Sequence, residues 1–363
     1  MVYAYLFILL ALFAGATKGW CGKKTSFLMK EPADAAAFNA LRMLLCIPIG
    51  FVFLLIEHSV PGLLLTPGAL GLSAFSGACN AMFVVVWLFA VRHNAYMTVE
   101  ISLMMGCLIP TFGTALLFSE PIHAAQIIGF ILLTAAVVLI NGYNRQISGK
   151  KTAGDIVLLV LSGTAEGLCG LSQQFYKHWV LPVCPSCTSA VFSFYTYVFA
   201  FLCLLLVLAG FRVAGKRRGV EGVSAETASA AGASTADTSA ADTSAADTST
   251  TDTSATGALA GSSAADTSAK GGTVRGFLQK VRPAAGYIAV MALCLFCHSY
   301  FQTLATAVFG MSSQVMYPLL KGGSLVFSTA MAALFFGEKL TKRSLFGIVT
   351  AFGGLLFINV FHF

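Results

Sequence analysis

Two ionisable residues lie deep inside long apolar stretches of this chain, where a charge is costly and commonly serves binding or transport. Lys321 lies about nine residues into the stretch 312–336, which is roughly 14 Å along a helix axis. Glu166 lies at a similar depth in the stretch 153–177. An ammonium group there attracts an anion, whereas a buried carboxylate binds an amine or carries a proton. The two can also pair with each other when the site is empty.

Further polar residues surround these two. A polar stripe at three- and four-residue steps, which is expected to line a cavity, consists of Gln314, Tyr317, Lys321, Ser324 and Ser328. The remaining substrate-binding candidates are Asn80, Gln173 and His298, with Gln174 beside them. Glu166 and Glu100 are the candidates for proton coupling, because a buried carboxylate can load and release a proton. For the lesser candidates, a plain interhelical hydrogen bond is the alternative.

Proline and glycine residues mark the same depth. Pro318 and Gly322 flank Lys321, while Pro110 and Gly113 interrupt an earlier apolar stretch. Paired interruptions in two halves of a membrane protein are typical of a binding site made by broken or bent helices. The alternative is that membrane helices simply contain these residues more often than soluble helices do.

Membrane helices are needed to position these residues. With 57% hydrophobic and 10% charged residues and a mean hydropathy of +0.82, a soluble globule would expose too much apolar surface. We therefore predict an all-α membrane protein, because the apolar runs are long and do not alternate as barrel strands do. Its ten predicted spans lie at about 2–22, 35–57, 66–91, 95–118, 121–143, 153–177, 186–210, 284–308, 312–336 and 341–361.

The two halves of the chain share a sequence pattern. Residues 115–141 read ALLFSEPIHAAQIIGFILLTAAVVLIN and residues 333–359 read ALFFGEKLTKRSLFGIVTAFGGLLFIN, which align without a gap. The matched pairs include Glu120 with Glu338, Gly129 with Gly347 and Asn141 with Asn359. Only the second copy has basic residues between its helices, and this opposite loop charge predicts halves inserted upside down relative to each other.

Basic residues also predict the orientation. Of the 22 Lys and Arg residues, all but four lie in the odd-numbered loops, and only Lys177 lies in an even loop. Basic loops stay in the cytoplasm, so both termini are expected on the extracytoplasmic side of the cytoplasmic (inner) membrane. The net charge of +7 therefore reflects topology and gives no reason to propose nucleic-acid binding.

The predicted organisation is a five-helix repeat at 1–143, a cytoplasmic connection at 144–152 and a second five-helix repeat at 153–363. The second repeat is interrupted at about 211–282 by a loop rich in Ala, Asp, Thr, Ser and Gly. Such a composition cannot form a core and predicts a disordered tether, with a regulatory docking segment as the alternative.

Two matched octapeptides relate the first apolar stretch to the sixth. They read GATKGWCG at 15–22 and GTAEGLCG at 163–170. Cleavage of a signal peptide near Ala16 would remove one of the pair, so we favour a retained span over that alternative. The glycines beside Glu166 predict close helix packing. Lys18 takes the equivalent position, where membrane anchoring and a site role are both open.

Three other charged residues and one cysteine pair have simpler interpretations. Arg42, Glu120 and Glu338 lie near the ends of their predicted spans, where snorkelling or capping is the favoured role. Cys184 and Cys187 in the sequence CPSC can form a local disulfide or bind a metal, but a structural turn is favoured because no second ligand pair is near.

The segments ALLFSEPIHAAQIIG and ALFFGEKLTKRSLFG resemble the FGE-containing helix-turn-helix that closes each half of EamA-type transporters of the drug/metabolite transporter superfamily. Ser119 and Pro121 depart from that pattern in the first copy. The resemblance covers nearly the whole chain outside the low-complexity loop. It implies ten helices as two inverted five-helix repeats, a central cavity, and a carrier that moves small metabolites or drugs, often outward.

The predicted function is a secondary transporter that exports a small metabolite or drug-like solute by alternating access. The alternatives are a flippase for a lipid-linked substrate and a non-transporting membrane assembly factor. The sequence has no HExxH or GxSxG motif and no nucleotide-binding glycine loop, so no enzyme activity, cofactor or metal is predicted. The expected partners are the substrate and the lipid bilayer. The direction of transport, proton or ion coupling, substrate identity and oligomeric state are left open.

Overall fold

A computed structural model of the chain describes residues 2–28, 32–63, 66–94, 96–120, 122–147, 152–232, 281–335 and 342–360. Their regular structure is entirely helical. Short 3₁₀ segments follow α1 and α2 and precede α9, and a π-helical turn at Tyr176–Val180 follows α7. The α-helices in these ranges are α1 Val2–Thr25, α2 Pro32–Ile56, α3 Pro67–His93, α4 Tyr96–Gly106, α5 Leu108–Phe118, α6 Ala124–Ile147, α7 Ala153–Phe175, α8 Ser189–Gly232, α9 Ala285–Ala307, α10 Ser313–Phe335 and α11 Lys342–Val360.

The predicted all-helical membrane class is confirmed. Within the described residues, seven helical stretches are long and apolar enough to cross a membrane. They are Tyr3–Thr25, Ala33–Ile56, Pro67–His93, Thr98–Phe118, Ala153–Val180, Ser189–Phe211 and Arg282–Ala307. Shorter apolar stretches lie in α6 and α11, at Ala124–Ala136 and Leu345–Gly354.

The fourth predicted span is interrupted as expected, but the ninth is not. α4 ends at Gly106 and α5 begins at Leu108, because Pro110 has no amide hydrogen to donate to the carbonyl of Gly106. α10, by contrast, continues through Pro318. α10 is therefore not broken around Lys321, and a bend there stays a prediction.

The predicted loop at 211–282 begins later than expected. α8 continues to Gly232, since the residues after 210 are rich in Ala, Glu, Lys and Arg, which favour helix. Residues 233–280 of the predicted loop lie outside the described part of the chain, as does Glu338.

The even-numbered predicted loops meet on one face of the molecule. Glu57, at the end of α2, accepts a hydrogen bond from the amide of Ala190 at the start of α8 (3.4 Å). Glu120, after α5, accepts hydrogen bonds from Ser313 at the start of α10 (2.5 Å) and pairs with His178 after α7 (3.2 Å). The even loops therefore share one face, as the alternating topology predicts.

Candidate functional site

A stripe of glycines on α7 allows its backbone to contact α4. A Cβ on Gly163 would lie 2.5 Å from the carbonyl oxygen of Ser102, and one on Gly106 would lie 2.2 Å from the carbonyl oxygen of Gly163. Both distances are far below a normal contact, so only glycine fits at this crossing. The predicted close packing is confirmed, and it holds Glu166, one turn further along α7, beside the α4–α5 junction.

Another close helix contact joins α1 to α9. A Cβ on Gly15 would lie 3.1 Å from the ring of His298, so the glycine leaves room for the imidazole. The Nδ1 atom of His298 donates a hydrogen bond to the carbonyl oxygen of Ala11 (2.8 Å). In the neutral ring this assigns the proton to Nδ1 and leaves Nε2 as an acceptor.

The helices enclose a cavity of about 490 Å³, counting the part that opens to its surroundings. Only about 40 Å³ of this space is open to the centre of a water-sized molecule, which is room for a few waters in the arrangement described. Six of the predicted substrate-binding residues line it, together with Lys18 and Pro110. These six are Asn80, Glu166, Gln173, His298, Tyr317 and Lys321.

Lys321 and Glu166 form an ion pair in this cavity. The ammonium of Lys321 donates to Oε1 of Glu166, and their side chains are 9% and 12% exposed. The second carboxylate oxygen, Oε2, is buried and has no hydrogen-bond partner among the described residues. The predicted pairing is confirmed, and the carboxylate keeps an acceptor for an amine or a proton.

Tyr317 links α10 to α7 next to this pair. Its hydroxyl donates to the carbonyl of Gly170 (2.6 Å) and lies 3.2 Å from Oε1 of Gln173. It accepts a hydrogen bond from the side-chain amide of Gln174 (3.2 Å). Gly170 permits this approach, because a Cβ there would lie 2.9 Å from the tyrosine ring. The contacts fix the wall of the cavity where the predicted polar stripe faces it.

Three predicted site residues lie away from the cavity lining. Ser324 donates to Glu100 (3.2 Å), and neither residue lines the cavity. Gln314 is 2% exposed, and its amide nitrogen has no partner among the described residues. The polar stripe of α10 is thus longer than the cavity, because Gln314 and Ser324 belong to the stripe but not to the lining. Of the two proton-coupling candidates, only Glu166 is in the cavity.

Several lining residues were not predicted. Ser299 and Gln302 lie on α9 beside His298. Gln302 follows His298 by four residues and Ser299 by three, and this spacing was a readable sign that it shares a helix face with each of them. Tyr197 on α8 also lines the cavity. Its hydroxyl donates to the carbonyl of Leu295 (3.0 Å), a contact between distant segments that the sequence does not reveal.

Lys18 and Arg42 are both more enclosed than anchoring residues would be. Lys18 lines the cavity, is 8% exposed, and holds its ammonium 5.4 Å from the ring centre of Phe83 and 5.9 Å from that of Trp87. Arg42 is 1% exposed, so the expectation that it snorkels to water was wrong. Its three guanidinium nitrogens have no acceptor among the described residues.

Outside the cavity, Glu120 joins α5 to the start of α10. Burial alone would raise the pKa of Glu120, but the hydrogen bond from Ser313 and the neighbouring Lys177 and His178 outweigh it and lower that pKa below its ordinary value. Lys177 lies 3.8 Å away. The carboxylate therefore connects segments of the two predicted halves.

Cys184 and Cys187 form a turn, as the sequence analysis favoured. Both are free thiols, and the amide of Cys187 donates to the carbonyl of Cys184 (3.0 Å). The carbonyl of Cys187 accepts from the hydroxyl of Tyr176 (2.7 Å). Burial raises the pKa of the Cys187 thiol to about 12. Among the described residues no cluster of three or more His, Cys, Asp or Glu is arranged to hold a metal ion.

Comparisons with known proteins inform the fold only. No protein-family model matches the sequence, and no curated protein matches it at a significant level. Among solved structures, 27 chains match. One, described as "Crystal structure of protein", superposes with a TM-score of 0.58 at 12% identity, over 99% of this chain and 98% of the other. The chain therefore shares its architecture with a protein of solved structure over almost its whole length.

Proposed function

We propose that this protein is a secondary transporter that moves a small metabolite or drug-like solute across the cytoplasmic membrane by alternating access. The observation that carries the proposal is the polar cavity among apolar helices, with the Lys321–Glu166 ion pair in its wall. Ionisable groups inside a membrane bundle are typical of substrate and ion pathways.

Helix packing supports two related halves. Suppose that α1 to α6 contain the first five spans and α7 to α11 the second five. α1 then corresponds to α7, and α9 corresponds to α3. The α1–α9 and α7–α3 contacts are therefore equivalent, and both pairs pack closely. α6 packs against its own counterpart α11, where a Cβ on Gly354 would lie 2.8 Å from the carbonyl oxygen of Gly129. We therefore propose ten spans as two inverted EamA-like repeats.

The cavity residues follow the same correspondence. Lys18 and Glu166 occupy equal positions in the two matched octapeptides. Asn80 and His298 are 218 residues apart, which is also the separation of the aligned segments 115–141 and 333–359. All four line the cavity. A site at the interface of two such halves is reached from opposite faces when the halves rock, and near-symmetry gives the two states similar energies.

Substrate binding competes with the Lys321–Glu166 pair in this mechanism. A solute with an acidic group takes the place of Glu166 beside the ammonium, and one with an amine takes the place of Lys321 beside the carboxylate. The pair keeps both charges compensated when the cavity has no solute, which lowers the energy of the return step.

The direct test compares solutes released by cells with and without this protein, followed by transport of the affected solute in proteoliposomes. Lys321→Ala should abolish transport while leaving the protein inserted in the membrane. Lys342→Ala, which removes an exposed lysine at the start of α11, is the matched control and should transport normally. Unchanged transport by Lys321→Ala contradicts the proposal, and movement of labelled lipid alone would favour a flippase.

A further inference from the structure

The charges that line the cavity do not cancel. Lys321 and Glu166 compensate each other, which leaves Lys18 as a further cation in the lining. No carboxylate of the described residues lies within ion-pair distance of it. The rings of Phe83 and Trp87 stabilise its ammonium, but an aromatic ring attracts a cation without neutralising it. A protonated His298 would only add to the positive charge.

Charges behind the lining increase this positive character. Lys18 interacts electrostatically with Arg42 and with Glu100, as well as with the ion pair. Arg42 is 1% exposed, and none of its guanidinium nitrogens has an acceptor among the described residues. Glu100 offsets only one of these two cations. With all five groups in their ordinary charged forms, this interior group of three cations and two carboxylates carries one excess positive charge.

An uncompensated charge in a low-dielectric interior is costly, and an anionic ligand removes that cost. The rest of the lining suits a neutral ligand body. Asn80 presents an amide that has no hydrogen-bond partner among the described residues, and Phe83, Tyr197 and Tyr317 present aromatic rings.

We propose that Lys18 selects the substrate, and that the substrate is a small organic monoanion whose acidic group binds this ammonium while its body contacts the aromatic and amide wall. The inference rests on the proposed function, because it names the class of solute that the carrier takes. Lys321 is a weaker selector, since its charge is already satisfied by Glu166.

The test measures ligand binding by purified protein in nanodiscs of neutral phosphatidylcholine. Three probes share one skeleton and differ in charge: 3-phenylpropionate, its amide, and 3-phenylpropylamine. We expect the carboxylate to raise the thermal unfolding midpoint, and the amide and amine to leave it nearly unchanged. Lys18→Gln should weaken carboxylate binding at least about thirtyfold, the lower end for losing one partner of a desolvated charge pair.

Two further variants separate charge from folding. Lys18→Arg keeps the charge and should retain carboxylate binding, and Lys342→Gln removes an exposed lysine and should bind like wild type. Equal or tighter binding of the amide or amine, undetectable binding of the carboxylate, or undiminished binding by a folded Lys18→Gln protein would overturn the inference. Stabilisation only in nanodiscs containing phosphatidylglycerol would also overturn it, in favour of an anionic lipid headgroup.

The same measurements distinguish this inference from the transport proposal. Lys18-dependent carboxylate binding without solute movement in vesicles would overturn the carrier and leave the anion site standing. Movement of a neutral or cationic solute, unaffected by Lys18→Gln, would support the carrier and overturn the anion site.

Discussion

Replacing Lys321 by Met should destabilise the protein mainly by leaving Glu166 unpaired. Removing one partner of a buried ion pair costs about 3–5 kcal/mol. Protonation of the carboxylate limits that cost, because a glutamate with an ordinary pKa of about 4.3 takes up a proton at pH 7 for about 3.7 kcal/mol. We therefore expect a loss of about 3 kcal/mol, since both side chains retain some exposure to the cavity.

Protonation of Glu166 also predicts a pH dependence. At any pH at which Glu166 is protonated in the folded Lys321→Met protein but ionised in the unfolded chain, the folded state binds one more proton. The stability difference between wild type and this variant should therefore shrink as the pH falls from 7 towards 5, by up to about 1.4 kcal/mol per unit. The wild-type ion pair has no such dependence in this range.

A double-mutant cycle with Glu166→Gln isolates the interaction. The assay is unfolding in mixed micelles by titration with sodium dodecyl sulfate, at pH 7 and at pH 5. The double variant should recover most of the stability that Lys321→Met loses, because no unpaired carboxylate remains. The argument would be refuted if the stability losses of the two single variants add up to that of the double variant within about 0.5 kcal/mol. It would also be refuted if the loss caused by Lys321→Met is the same at pH 7 and at pH 5.

Three further predictions use the same unfolding assay. Gly163→Ala should lower the free energy of unfolding by at least about 2 kcal/mol, because its Cβ would lie 2.5 Å from a backbone oxygen of α4. The control is Gly71→Ala, whose Cβ would lie in open space, and it should be neutral or stabilising. Tyr317→Phe should cost about 1–3 kcal/mol, because it removes the bond to the carbonyl of Gly170 and leaves the buried side-chain amide of Gln174 without its acceptor. No measurable loss would disprove that role. Because the pKa of Glu120 is lowered on folding, its contribution is present above its ordinary pKa and is lost as the pH falls through the lowered value; the stability difference between wild type and Glu120→Gln should shrink in acid, and a constant difference would contradict this.

Helical periodicity was sufficient to predict the local parts of the site. The glycines beside Glu166 recur on one face of α7, so the sequence alone indicated that this carboxylate leaves a tightly packed helix crossing. The stripe containing Tyr317 and Lys321 predicted one wall of the cavity in the same way. Periodicity does not show where a cavity ends, which is why Gln314 was included although it is buried outside the cavity lining.

Contacts between distant segments were not predictable. Lys18 lies near a basic loop in the sequence, so anchoring and binding were equally plausible, whereas its enclosure depends on Phe83 and Trp87 from α3. Arg42 was placed near a helix end, but neighbouring helices cover it completely. Pro318 did not break α10, because close packing there, including Leu12 against Gly323, holds a helix that lacks only one hydrogen bond.

The central claim is that the cavity is reached from both faces of the membrane in turn. Ser299, a small residue of the lining, can be replaced in Ser299→Cys with little change in volume, in a background whose ten native cysteines are removed. A membrane-impermeant thiol reagent applied to vesicles of each orientation should modify this position from either face. Modification from one face only, or from neither, would contradict alternating access through this cavity.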